Sequence, residues 1–259
     1  RILATRGIDA GTADTFLSPT LRDLLPDPSR LRDMDTAAER VAAAIMHGER
    51  IAVFGDYDVD GATSSAVLCR FIEHVDGRCQ IYIPDRLREG YGPNEPALLG
   101  LAREGVSVVL TVDCGTAAHE ALAVARDVGL DVVVVDHHTA EANLPAAIAV
   151  INPNRLDDDS GEGHLAAVGV AFLLVVAVNR ELRRAGWYAE RTEPDLIQWL
   201  DLVALGTVCD VVPLRGLNRA LVTQGLKVIQ RRGNPGLRAL ANVAAITEAP
   251  NAYHLGFVF

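Results

Sequence analysis

The stretch GDYDVDG, residues 55–61, sets Asp56, Asp58 and Asp60 at alternate positions and closes on a glycine. An EF-hand calcium loop opens in the same way, but it needs a bidentate glutamate at its twelfth position. Counted from Asp56, that position is Val67, and the run IAVFGD at 51–56 is rich in strand formers where an EF-hand has a helix. In a strand running into a turn, Asp58 and Asp60 can share a face, because side chains two apart in extended chain point the same way. Three further stretches carry related chemistry. Asp113 precedes Cys114 and Gly115, Asp136 precedes His137 and His138, and GTVCDVVPL places Asp210 in a loop after an apolar helix. Carboxylates mixed with imidazole suit manganese or a comparable transition ion better than calcium; magnesium is also compatible, and several shared carboxylates point to two ions.

A single aspartate at a strand end is commonly a helix cap or turn residue, and a histidine doublet is commonly a packing or surface feature. Four acidic clusters at successive loop positions are not explained that way. The elements that must hold them read as strands at 51–56, 79–85, 106–113, 131–136 and 147–152, most of them separated by helical stretches. This alternation predicts an α/β fold with a doubly wound, mainly parallel five-stranded sheet flanked by helices. Near-continuous apolar strands such as VVVV at 132–135 fit a sheet covered on both faces. In such sheets ligands bind beyond the carboxyl ends of the strands, where these polar residues fall. Thr36 to Glu39 reads as a capping box that starts a helix ending at Gly48, and Asn94 and Thr116 read as N-caps of the next two crossovers. After residue 160 helices dominate, at 165–185, 195–206 and 218–232, and the sequence predicts a helical C-terminal subdomain joined through the solvated acidic loop LDDDSGEG at 156–163. The expected division is an extension at 1–35 packing on the core, an α/β core at 36–155 and a helical part at 156–259.

Hydrophobic residues make up 49% of the 259, which supports a globular chain with a large core. The longest uncharged apolar run, residues 165–178, has 14 residues, short of the roughly 18–20 that span a bilayer. It reads as a buried helix, and no membrane partner is expected. With no secretory signal pattern and no C-x-x-C spacing among Cys69, Cys79, Cys114 and Cys209, the expected location is cytoplasmic, with reduced thiols. A net charge of −10 leaves no global basic field for nucleic acid.

DYDVDG, TVDCG, VDHH and GTVCDVVPL, in that order, resemble motifs one to four of the DHH phosphoesterase superfamily. IPDRLREGYG at 83–92 and VGVAF at 168–172 are similar to the RecJ group of single-strand-specific 5′ to 3′ exonucleases. The resemblance runs from about Arg6 to Phe259. It implies that Asp58, Asp60, Asp113, His137 and Asp210 ligate manganese, two ions in all, or magnesium, with Asp56 adjacent to the site or joining it. It also implies that His138 contacts the scissile phosphate and that Asp136 orients the histidine pair. The implied substrate is single-stranded DNA with a 5′ end, in DNA repair and recombination, with a repair helicase or single-strand-binding protein as partner. Arg86 is a candidate anchor for a 5′-phosphate or else a surface salt-bridge residue; Tyr91 is a candidate base-stacking platform or else a loop-packing residue. Ala167 stands where the group's pattern has glycine. The group's C-terminal domain and OB-fold have no counterpart in these residues, so the chain is expected to be the catalytic domain of a longer enzyme and to hold DNA weakly by itself. The rival readings are a DHH phosphodiesterase acting on short oligonucleotides or cyclic dinucleotides, and a catalytically silent DHH scaffold.

Overall fold

A computed structural model describes residues 2–5 and 7–259; Arg1 and Arg6, at the start of the expected extension and of the resemblance, lie outside the described residues. Three short helices, α1 (Ile2–Thr5), α2 (Ala13–Leu17) and α3 (Leu21–Leu24), lead into α4 (Met34–Met46). The α/β alternation follows: β1 (Arg50–Gly55), α5 (Val59–His74), β2 (Arg78–Tyr82), α6 (Glu95–Arg103), β3 (Val106–Val112), α7 (His119–Asp127), β4 (Asp131–Val135) and β5 (Ala149–Ile151). The remainder is helical: α8 (Ala167–Arg184), α9 (Leu200–Cys209), α10 (Gly216–Gln230), α11 (Pro235–Val243) and α12 (Ala252–Phe257).

The five strands form one sheet in the order β2-β1-β3-β4-β5, with every pairing parallel. Side chains alternate between its faces. Ile51 and Val53 of β1 join the core built with α4, α5 and α8, whereas Ala52 and Phe54 join the core under α6 and α7. This two-sided burial is why the strands are apolar throughout. Successive strands are added first on one side of β1 and then on the other, so the crossover direction reverses between β1 and β3. The carboxyl ends of two adjacent strands there feed loops that part to opposite faces and leave a crevice.

Most of the apolar run at 165–178 lies in α8, which begins at Ala167, and nearly all of that stretch is buried. No helix among the described residues is long and apolar enough to cross a membrane. α8 and α9 share the sheet's main core, while α9 through α12 close a smaller apolar cluster around Leu205, Val222 and Leu255. Two cap assignments are corrected. α4 starts at Met34 after Asp33, whose φ is 61°, so Thr36 lies inside its first turn. Thr116 does not cap α7, which follows Ala118; it is buried, donating its N–H to Asp136 and accepting from Asn152. Gly48, with φ 67°, follows the end of α4, and the Asn94 side chain caps α6 at Ala97 N, both as expected.

Candidate metal centre

β1 delivers Asp56 at its carboxyl end, and the chain turns at once into α5. The Asp58 side chain caps that helix by accepting from Gly61 N at 2.9 Å, and Asp60 falls in its first turn. Gly61 is required by space, since a Cβ there would stand 2.5 Å from the Asp56 carbonyl oxygen. β3 ends in Asp113, which adopts φ 59°, a conformation uncommon outside glycine and frequent at functional sites. β4 ends in Asp136, His137 and His138, and α9 ends at Asp210. The four stretches meet at the crevice between β1 and β3.

Three clusters of donor atoms result: Asp56, Asp58 and Asp113; Asp113, His137 and His138; and Asp60, His137 and Asp210, each with ligand atoms within 4.8 Å of one another. His137 Nε2 lies 3.3 Å from Asp113, 3.8 Å from Asp210 and 3.9 Å from Asp60. Asp56 Oδ1, His137 Nε2 and Asp210 Oδ2 are buried without a hydrogen-bond partner. Buried polar atoms are rarely left so unless something else satisfies them. This donor set, carboxylate oxygens plus one imidazole nitrogen, fits manganese or magnesium.

The supporting shell is well defined. The His137 Nδ1 lies 3.0 Å from the Leu165 carbonyl, which can only accept, so Nδ1 carries a proton and Nε2 faces the carboxylates. His138 Nδ1 donates to Asp136 Oδ1 at 2.7 Å. The same carboxylate accepts from the main-chain N–H groups of Thr116, His137 and His138. Asp136 therefore holds the His138 ring and the main chain of the pair, while the His137 ring is set by Leu165. The fully buried Asp60 accepts from Ala167 N at 2.7 Å and Val168 N at 2.9 Å at the start of α8, where the helix dipole favours a negative charge. Ala167 contributes here through its backbone, so the missing glycine leaves this contact intact. At the end of β5, Asn152 donates to the His138 carbonyl and Asn154 to the His137 carbonyl. Neither asparagine, nor the backbone groups of 165–168, was among the residues singled out from the sequence. The two asparagines obey the same strand-end rule; the backbone groups have no side-chain signal.

Crowding shifts the titrations. Burial, reinforced by the charge of Asp113, raises Asp60 to about 8. Burial likewise raises Asp113 to about 7, against the pull of His137. Burial would lower His137, but Asp113, Asp210 and Asp60 outweigh it and raise the imidazole to about 9. Burial also raises Asp56 and Asp210. Burial would raise Asp136 too, yet the hydrogen bonds from His138 and Thr116 hold it below the usual carboxylate range. The hydrogen bond to Asp136 raises His138.

Arg86 is exposed, its guanidinium 4.7 Å from the centroid of the Tyr57 ring, and among the described residues no carboxylate lies within ion-pair distance of it. The Tyr91 hydroxyl donates to the Asp113 carbonyl at 3.0 Å, and its ring meets His138 edge-on at 6.2 Å. Cys114 is buried and Cys209 half-buried.

The family model for the DHH family, N-terminal domain, matches residues 50–207, more than half of the chain. The chain belongs to the DHH family. Among DHH proteins, the single-stranded-DNA-specific exonuclease RecJ of Dickeya dadantii is 42% identical over 248 residues. That alignment takes in 94% of this chain and only 42% of the relative. A crystal structure of exonuclease RecJ bound to manganese superposes with TM-score 0.76 at 36% identity, covering 88% of this chain and 55% of that one. RecJ from Thermus thermophilus in complex with Mg2+ gives 0.63 at 33% identity, over 94% and 30% of the two chains. The DHH chain described here thus spans less than half the length of the Dickeya relative.

Proposed function

We propose that this chain is the catalytic part of a manganese- or magnesium-dependent phosphodiesterase that releases 5′-mononucleotides from the 5′ end of single-stranded DNA. The observation that carries this reading is the convergence of five acidic residues and His137, with partnerless buried atoms, at the sheet's switch point in a chain similar to exonucleases named for that substrate. Asp58, Asp60, Asp113, His137 and Asp210 would hold the metal and Asp56 would join or flank it; Asp113 and His137 each belong to two of the clusters. Divalent ions held there would supply an activated water and charge stabilisation for an in-line displacement.

The chain's own groups do the rest. His138 is half-exposed, and with Nδ1 committed to Asp136 its Nε2 is the nitrogen left for substrate. The hydrogen bond to Asp136 raises its pKa and so favours the proton-bearing form that can donate to a phosphate oxygen as charge develops. Asp136 keeps that ring oriented. Arg86, held over Tyr57, would take a 5′-terminal phosphate with its planar fork. The Tyr91 hydroxyl is occupied, so only its ring is available to stack on a base. A repair helicase or single-strand-binding protein would present the strand, in the cytoplasm, during repair and recombination. The test is incubation of a 5′-phosphorylated single strand with the chain and Mn2+. Mononucleotide release, absent in Asp113→Asn, is expected. Cleavage confined to dinucleotides or cyclic dinucleotides would replace this reading with the short-substrate one, and metal binding without any hydrolysis would replace it with a scaffold.

A further inference from the structure

Two ligands of the centre come from loops that share no strand: His137 depends on the segment before α8, and Asp210 on the segment before α10. Both segments converge on Asn218, a fully buried residue in the first turn of α10. Its amide nitrogen donates to the His164 carbonyl at 2.6 Å and to the Pro213 carbonyl at 3.1 Å. His164 adjoins Leu165, the acceptor for the His137 ring, and Pro213 lies three residues after Asp210. The contacts close a ring: His137 to Leu165, along the chain to His164, across Asn218 to Pro213, back to Asp210, and over 3.8 Å to His137 Nε2.

Two details define this link. The Asn218 Oδ1 is buried with no partner, a penalty of the kind an apolar residue of similar size would avoid. Turning the amide over would bring that oxygen against two carbonyl oxygens, so the donor fork is what the position uses. Gly216, with φ 48°, lets the first turn of α10 come close, since a Cβ there would stand 3.2 Å from His164 Nε2.

We infer that Asn218 is a positioning residue of the metal centre, locking the His137 acceptor loop to the Asp210 loop so that the two ligands keep their mutual distance. This rests on the metal-centre reading above. The test compares wild type, Asn218→Leu and Asn218→Ser by Mn2+ titration with electron paramagnetic resonance, beside thermal unfolding in EDTA. The leucine variant should melt somewhat below wild type in chelator, because the His164 carbonyl loses its donor while the orphan Oδ1 is removed. Its Mn2+ affinity should fall about 10-fold or more, the usual effect of losing an outer-shell partner, with a broadened bound-ion spectrum. The serine variant, with one donor, should lose less, and it gives the same comparison if the leucine variant does not fold. Wild-type affinity and an unchanged spectrum in a folded variant would overturn the inference and leave the metal centre standing. Failure of wild type itself to bind Mn2+ would overturn the metal centre, and the inference with it.

Discussion

Replacing Asp113 by asparagine removes one charge from the middle of the carboxylate cluster while keeping a residue type that tolerates φ 59°. Burial raises this carboxyl from 3.8 to about 7. At about 1.4 kcal/mol per pH unit, its ionised form therefore costs the metal-free fold on the order of 4 kcal/mol at pH 8. The attraction of His137 at 3.3 Å opposes that cost and is already contained in the shift. The variant should therefore be more stable than wild type in chelator, by an amount on the order of a few kcal/mol, each worth roughly 2–4 °C in a chain of this size. With Mn2+ the order reverses. A ligand at a hundredfold its Kd stabilises by about 2.7 kcal/mol, roughly 5–10 °C here, and Asp113→Asn should lose more than half of that shift. Calorimetry or dye-monitored unfolding at pH 8, in EDTA and in Mn2+, reads both quantities. A variant that melts below wild type in EDTA and keeps the full Mn2+ shift would refute the placement of Asp113 among the ligands.

His138→Ala should leave Mn2+ affinity near wild type and lower turnover by about 10²-fold, the usual effect of losing one donor to a developing anion; collapse of metal binding would place His138 among the ligands. Asp60, Asp113 and His137 all titrate above their ordinary values. The folded chain therefore holds more protons than the unfolded one between about pH 4 and 9, and metal-free stability falls as pH rises through that window. Melting in EDTA should be higher at pH 6 than at pH 8.5, and Mn2+ affinity should rise over the same interval as protons leave the ligands; a metal-free melting point that climbs with pH would contradict these shifts. With 24 Lys+Arg against 34 Asp+Glu and 5% aromatics, the chain has few groups to neutralise phosphates or stack bases. Titration with a 5′-phosphorylated oligonucleotide in Ca2+ at physiological salt should give a Kd weaker than about 1 μM, and tighter binding would show that this chain carries its own DNA track.

The sheet and the stretches that form the candidate site were legible because both are written in side-chain type. Strands buried on both faces must be apolar, so an aspartate ending one stands out, as at Asp113 and Asp136. The same rule covers Asn152 and Asn154 at the end of β5, but an asparagine there also reads as an ordinary turn residue, and neither was singled out. Contacts made by main-chain atoms, from Leu165, Ala167 and Val168, leave no mark on side-chain pattern. The capping signals misled where tertiary contacts competed. Asp33 pairs with Arg155 and turns the chain at φ 61°, starting α4 before Thr36, and Thr116 is drawn into the Asp136 and Asn152 network. α11 and α12 escaped notice although Asn234 with Pro235 and Asn251 cap them in the ordinary way.

Anomalous diffraction from a crystal of this chain soaked in Mn2+ tests the metal centre most directly. Two peaks are expected in the crevice between β1 and β3, within ligand distance of Asp58, Asp60, Asp113, His137 and Asp210, and both should vanish or weaken strongly in Asp113→Asn. Manganese bound elsewhere, or an empty crevice at saturating Mn2+ with the same side-chain arrangement, would contradict it.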